Sequence, residues 1–143
     1  MDLIRITRSR GLEFDVRVRD RKVTSDMAPA DGGRGEGFTP LELVAGAAGA
    51  CIAMAVQRWC EACDHPGDVE VSVAFELRDD PKRMAALVVD LELPPGLPES
   101  RRRALRRVVE ECPIRETLRR PPRVDVELVF NQQETRDRLR PVP

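Results

Sequence analysis

The chemistry this chain can perform rests on four cysteines, placed in three different settings. Cys51 lies inside a stretch of alanine and glycine, Cys112 stands directly before Pro113, and Cys60-Glu61-Ala62-Cys63 forms a C-x-x-C with His65 close behind. A thiolate is a nucleophile whose first oxidation product is a sulfenic acid, and a second thiol nearby can trap that product before it oxidises irreversibly. The alternative is that Cys51 and Cys112 are small core side chains, since free cysteine is among the most buried residue types.

The C-x-x-C sits where a long helix ends. A thioredoxin-like pair belongs at a helix N-terminus, where the dipole favours thiolate, so this one is wrongly placed for that role. Zinc would need a fourth ligand beyond Cys60, Cys63 and the only histidine, and no second C-x-x-C supplies it. Neither metal nor cofactor is expected, and Trp59 reads as ordinary core.

The elements that position these residues follow from periodicity and breakers. Leu3 to Thr7 and Leu12 to Val18 alternate apolar with polar side chains, which predicts a half-buried hairpin with Phe14, Val16 and Val18 on one face. Ala28 to Gly37 carries too many glycines for regular structure and reads as a loop. Thr39-Pro40-Leu41-Glu42 then gives an N-cap, a proline at the first helical position and a capping-box glutamate, so a helix starts there and runs to about Cys63. Its middle is apolar on every side, which suits a buried helix at the centre of the fold.

Val69 to Leu77 and Met84 to Leu93 alternate at period two around a turn at Asp79-Asp80-Pro81, predicting two antiparallel strands. Pro98 to Cys112 places Leu105, Val108 and Val109 at helical spacing, and Pro113 interrupts that helix. Arg123 to Phe130 reads as a last strand with Val124, Val126, Leu128 and Phe130 on one face, and residues 131–143 are expected to fray. The order describes a single α+β domain over residues 1–143, with antiparallel sheet and segregated helices.

Bulk composition limits the partners. The chain has 143 residues, 24 basic and 25 acidic, for a net charge of −1, without the positive excess of a generic nucleic-acid or membrane-surface binder. Its one basic cluster, Arg101, Arg102, Arg103, Arg106 and Arg107, reads as the solvated face of a helix. The 14-residue apolar run from Leu43 to Val56 falls short of the ~20 residues a bilayer requires. The N-terminus lacks a basic stretch followed by an apolar run, so a cytoplasmic location with reduced thiols is expected. Only 3% of residues are aromatic, which leaves a thin core that a second subunit would help to cover.

Two motifs carry a family resemblance. Gly32-Gly33-Arg34-Gly35-Glu36-Gly37-Phe38-Thr39-Pro40-Leu41-Glu42, running on to Ala50-Cys51, resembles the glycine-rich loop, Pro, Glu, small-residue helix and buried Cys of the OsmC and organic-hydroperoxide-resistance family. Glu111-Cys112-Pro113-Ile114 resembles that family's second Cys-Pro. The resemblance implies an OsmC-like α+β fold, an intertwined homodimer with active sites at the subunit interface, and reduction of organic hydroperoxides. Cys51 would attack the peroxide and Cys112 would resolve the sulfenic acid, with an external thiol reductant closing the cycle.

A buried thiol needs a cation to hold its charged form. The osmotically induced branch draws its arginine from the glycine loop, which points to Arg34. The hydroperoxide-resistance branch draws it from the first hairpin, which points to Arg10 or Arg17. The peroxidase branches place the arginine-orienting glutamate ten positions before the first cysteine, where this chain has Leu41 and the acid is Glu42. Nine positions set Glu42 about 180° around the helix from Cys51 and roughly 13 Å along it, so Glu42 either orients an arginine or only caps the helix with Thr39. A non-catalytic OsmC-like protein that binds a small hydrophobic ligand or senses redox state is the alternative function; Leu41 favours it, and the retained cysteine pair favours the enzyme.

Overall fold

A computed structural model describes residues 3–65 and 67–129. The chain begins with an antiparallel meander of β1 (Arg5–Arg10), β2 (Glu13–Val18) and β3 (Arg21–Ser25). The expected hairpin thus gains a third strand: Arg19, at φ 51°, turns the chain back and Val23 pairs with Val16. Val23 and Thr24 are β-branched side chains that suit a pleated surface, but Arg21 and Lys22 dilute the alternation that would have marked the strand. Ile6, Val16 and Val23 form one cross-strand row on its apolar face.

The glycine loop follows, with a short 3-10 turn at Pro29–Asp31, and returns to the meander by a parallel bridge between Ser25 and Phe38. Helix α1 (Pro40–Ala62) starts at the predicted residue: Thr39 Oγ1 accepts the Glu42 backbone N–H at 3.3 Å, and Glu42 Oε2 accepts the Thr39 N–H at 2.7 Å. The helix buries one face, made of Ala45, Ala48, Gly49, Ile52, Val56 and Cys60, rather than its whole circumference. On the far side Met54 is 67% exposed. At 23 residues α1 is long and apolar enough, by length and composition alone, to cross a bilayer, which the 14-residue count from the sequence understated.

Strands β4 (Glu70–Asp79) and β5 (Lys82–Glu92) form a second antiparallel sheet, and their inward rows Val71–Leu91, Val73–Val89 and Phe75–Leu87 face α1. Gly49 permits that approach, since a Cβ there would come within 2.6 Å of Val73 Cγ2. Helix α2 (Arg102–Glu110) packs Leu105 against Ile52, Val56 and Cys60 on that same buried face of α1, and the arginines flanking it are all exposed. Ile52, Val56, Cys60, Leu105 and Cys112 make the buried core, ringed by Trp59, Val108, Val109 and Ile114. Burial of each such aliphatic side chain stabilises the fold by roughly 1.5–3 kcal/mol.

Two sequence expectations are corrected at the C-terminal end. The helix expected from Pro98 to Cys112 stops at Glu110, and Pro113 opens a new helix, α3 (Pro113–Arg119), instead of merely ending the old one. A proline lacks the N–H an interior turn needs yet is preorganised for the first position. The strand expected at Arg123 to Phe130 is absent over residues 123–129: the segment pairs with no strand and Val126 is 81% exposed. Alternation makes a strand only where the segment meets an edge, and residues 123–129 lie on none of the open edges of the two sheets. Phe130 and the tail after it lie outside the described residues.

Candidate active site

Cys51 stands midway along α1 and Cys112 at the break between α2 and α3, and the fold makes Cys112 the neighbour that acts most strongly on the Cys51 thiol. All four cysteines are free thiols. Cys112 is aimed by the break itself: its backbone is extended (φ −61°, ψ 121°) as the N-cap of α3, its N–H donates to the Val109 carbonyl at 3.3 Å, and its carbonyl accepts from the Glu116 N–H at 3.0 Å. The Ile114 backbone, in the first turn of α3, acts on the Cys51 thiol in the opposite sense, favouring its charged form.

The hydrogen bond with Cys112 and then burial push the Cys51 thiol up, and the Ile114 N–H offsets only part of this. In the single chain Cys51 therefore stays protonated at neutral pH. A hydrogen bond to a neighbouring sulfur and a dry surround both favour the neutral form, and a nearby cation would be the counterweight.

Among the described residues no arginine acts on Cys51. Arg34 instead donates from Nε and Nη2 to Glu36 Oε1, at 3.0 and 2.9 Å. Arg10 donates to the other oxygen of the same carboxylate and to Glu13 Oε2 at 3.2 Å. Arg17 is taken by Asp15 at 2.6 Å. The hydrogen bond from Arg34, with the charge of Arg10 behind it, holds the Glu36 carboxyl below its ordinary range against the opposing effect of burial.

The acid that gathers arginines is thus Glu36, between two glycines of the loop, and not Glu42. Glu42 is committed to the capping box. The reason is local: a glutamate at the third helical position finds the exposed N-cap N–H within reach, whereas Glu36 projects from a loop folded around a buried carboxylate. That carboxylate is Asp26, 2% exposed, which accepts the backbone N–H groups of Met27, Arg34 and Glu36 at 2.8, 3.0 and 3.2 Å. Burial alone would push its carboxyl up, but these backbone bonds outweigh it and bring it below the usual range. Gly33 is obligatory in this packing, since a Cβ there would fall 1.9 Å from the Met27 carbonyl oxygen. Sequence reading passed over both Asp26 and Glu36; their one signal is an acid at each end of a glycine run, a weak mark of a side chain tying down its own loop.

The C-x-x-C pair lies toward the far end of α1, roughly 13 Å from Cys51 along the helix axis. Burial and then the neighbouring Cys63 push the Cys60 thiol up. Among the described residues no group of three or more His, Cys, Asp or Glu side chains is arranged to hold a metal.

Among the described residues several cavities flank α1, and three of them bear on the site. One of about 500 Å³ lies between α1 and β4, lined by Phe38, Gly46, Ala50, Val73 and Phe75. One of about 480 Å³ opens under the meander beside Ile6, Phe14, Val16 and Leu43. The third, about 340 Å³, lies between α1, β5 and α3.

The OsmC-like protein family model matches residues 33–127 of the chain. Among solved structures the fold is similar to that of an OsmC-like protein from Mycoplasma pneumoniae, with 16% identity, a TM-score of 0.70, and coverage of 83% of this chain and 87% of that one. It is similar to an organic hydroperoxide resistance protein OsmC from Legionella pneumophila, at 23% identity and a TM-score of 0.62, over 83% of this chain and 89% of that one. The organic hydroperoxide resistance protein OhrB of Bacillus subtilis matches at 20% identity and a TM-score of 0.52, over 80% of this chain and 90% of that one. No curated protein matches the chain.

Proposed function

Because this chain belongs to the OsmC-like protein family, we propose that it is a cytoplasmic thiol peroxidase that reduces organic hydroperoxides, acting as a homodimer whose second copy completes each active site. The observation that carries the reading is the neighbouring pair of free thiols, Cys51 on α1 and Cys112 at the N-cap of α3, close enough that one acts on the ionisation of the other. The Cys51 thiolate attacks the terminal oxygen of ROOH, the O–O bond breaks, and the alkoxide leaves as ROH after taking a proton. Cys51 is then a sulfenic acid. Cys112 attacks that sulfur, releasing water and leaving a Cys51–Cys112 disulfide, which an external dithiol reduces while becoming a disulfide itself.

Dimerisation is supported by what one chain leaves uncovered. Ile6, on the apolar face of the meander, is 58% exposed, and the alternating apolar residues Val124, Val126 and Leu128 lie exposed outside either sheet. The cation supports it too: among the described residues no arginine acts on Cys51, while Glu36 holds two arginines in the glycine loop. A second copy that docks its loop against Cys51 supplies that charge.

The second reading, a non-catalytic protein that binds a hydrophobic ligand or senses redox state, is favoured by the upward push on the Cys51 thiol. Mixing reduced protein with cumene hydroperoxide and counting free thiols separates the two. The peroxidase loses two thiols per chain in one fast turnover and forms cumyl alcohol stoichiometrically; an unchanged thiol count removes the enzyme reading. Faster loss with cumene hydroperoxide than with hydrogen peroxide is also expected, because apolar walls bind only the organic portion.

A further inference from the structure

We propose that the cavity between α1, β5 and α3 is a binding site for a small apolar molecule that ends in a carboxylate. This assignment is independent of whether Cys51 turns over peroxide. The floor is aliphatic: Ile52 from α1, Leu87 and Val89 from β5, and Val109 from α2. The rim is cationic, because Arg115 and Arg119 line the same cavity. They are four residues apart on α3, and that spacing sets two side chains on one face of a helix, about 5–6 Å apart at Cβ.

Charge at the rim is unbalanced. The one carboxylate the two arginines share is Glu116, at 3.8 Å from Arg115 Nη1 and 2.8 Å from Arg119 Nη1. Arg115 Nη1 also donates to the Glu110 carbonyl at 3.2 Å. Each guanidinium carries five N–H donors, so both keep donors free. Two positive charges against one negative, set over an uncharged floor, complement an anionic head on an apolar tail. The planar fork of arginine suits a carboxylate, which it can grip with two parallel bonds.

Size narrows the class. The cavity, about 340 Å³, lies at the small end of ligand pockets, which run from ~300 to ~1,000 Å³. At ~30 Å³ per heavy atom, the share of one water in the liquid, it holds roughly eleven heavy atoms. Octanoate has ten. Long-chain lipids do not fit within it.

The site also touches the thiol pair from behind. Ile52 is the residue after Cys51, and the Val109 carbonyl holds the Cys112 N–H at 3.3 Å. A ligand seated there would lie along the wall that positions both sulfurs.

Titration calorimetry of the full chain with octanoate, octan-1-ol and acetate tests the proposal. Octanoate should bind at least tenfold more tightly than octan-1-ol, and acetate should not bind measurably. Arg115→Gln with Arg119→Gln should erase the preference for octanoate over octan-1-ol while leaving alcohol binding in place. As a check that needs no variant, octanoate should shift the methyl resonances of Leu87 and Val89. Absence of octanoate binding, equal affinity for the alcohol, a preference that survives the double substitution, or shifts confined to other methyls would each overturn the assignment.

Discussion

Helix α1 joins two regions held together by different forces. Around its middle and far end, Ile52, Val56, Cys60, Leu105 and Cys112 pack into an apolar core that contains the thiol pair. Before its first turn, Asp26, Arg34, Glu36 and Arg10 form a hydrogen-bonded charged loop around a buried carboxylate, with little apolar burial. The first region holds two free thiols in an apolar setting that suppresses ionisation of Cys51; the second holds two arginines on one loop carboxylate. The capping box of Thr39 and Glu42 fixes where one ends and the other begins.

The sharpest break in this comparison comes from the thiols. Cys51→Ser should abolish peroxide turnover, measured as reductant-coupled hydroperoxide loss. Cys112→Ser should leave one stoichiometric round that stalls at the sulfenic acid, detected by dimedone labelling, because attack precedes resolution.

Next in size is the electrostatic link between the regions. Cys51 in the single chain is pushed up, so an isolated chain should alkylate with an inflection above the ordinary cysteine range of ~8.5. In the dimer, an arginine from the partner's loop should bring that inflection below ~8.5, giving more thiolate at neutral pH. Glu36→Gln should raise it again by about one unit, a tenfold loss of thiolate at neutral pH. An iodoacetamide profile that Glu36→Gln leaves unmoved would separate the loop from the thiols.

Stability should divide along the same line. Leu105 is 6% exposed, and Leu105→Ala should cost about 2–5 kcal/mol in urea unfolding, as a cavity in a packed core does. Val16→Ala, in the half-buried meander, should cost about 1 kcal/mol in a monomeric preparation. A larger loss for Val16→Ala in the dimer would show that the meander finds its packing on a second copy.

The loop has its own pH signature. Asp26 is held below its ordinary range, so it stabilises the fold at neutral pH, and this contribution is lost as pH falls through its folded-state value. Asp26→Asn should therefore lower the urea midpoint at neutral pH, and the gap from wild type should close below about pH 4. A gap that is constant with pH would mean the carboxylate charge is not what orders the loop. The smallest effect belongs to Cys63→Ser at the half-buried end of α1, within about 0.5 kcal/mol in stability and without loss of activity.

The elements whose signals are local could be read directly. Thr39-Pro40-Leu41-Glu42 announces a helix start because the capping bonds join residues three apart. The strands β4 and β5 were legible from alternation and from the turn at Asp79-Asp80-Pro81, since a hairpin closes on its own neighbours. The motifs around Cys51 and Cys112 were legible as a pair that marks a family, and the OsmC-like family model over residues 33–127 bears that out.

What the sequence could not decide depends on contacts between distant positions. Which acid collects the arginines turned on the fold of the loop about Asp26, whose bonds to Arg34 and Glu36 span eight and ten residues. The alternation of Val124, Val126 and Leu128 specified a strand's faces without specifying an edge to receive it, because pairing is a property of two segments and not of one. Periodicity likewise showed that α1 is apolar all round, but only the placement of β4, β5, α2 and α3 determined which face one chain covers. Local bonding is written in adjacent residues; burial, ion-pair choice and strand partnership are set by whatever the fold brings near.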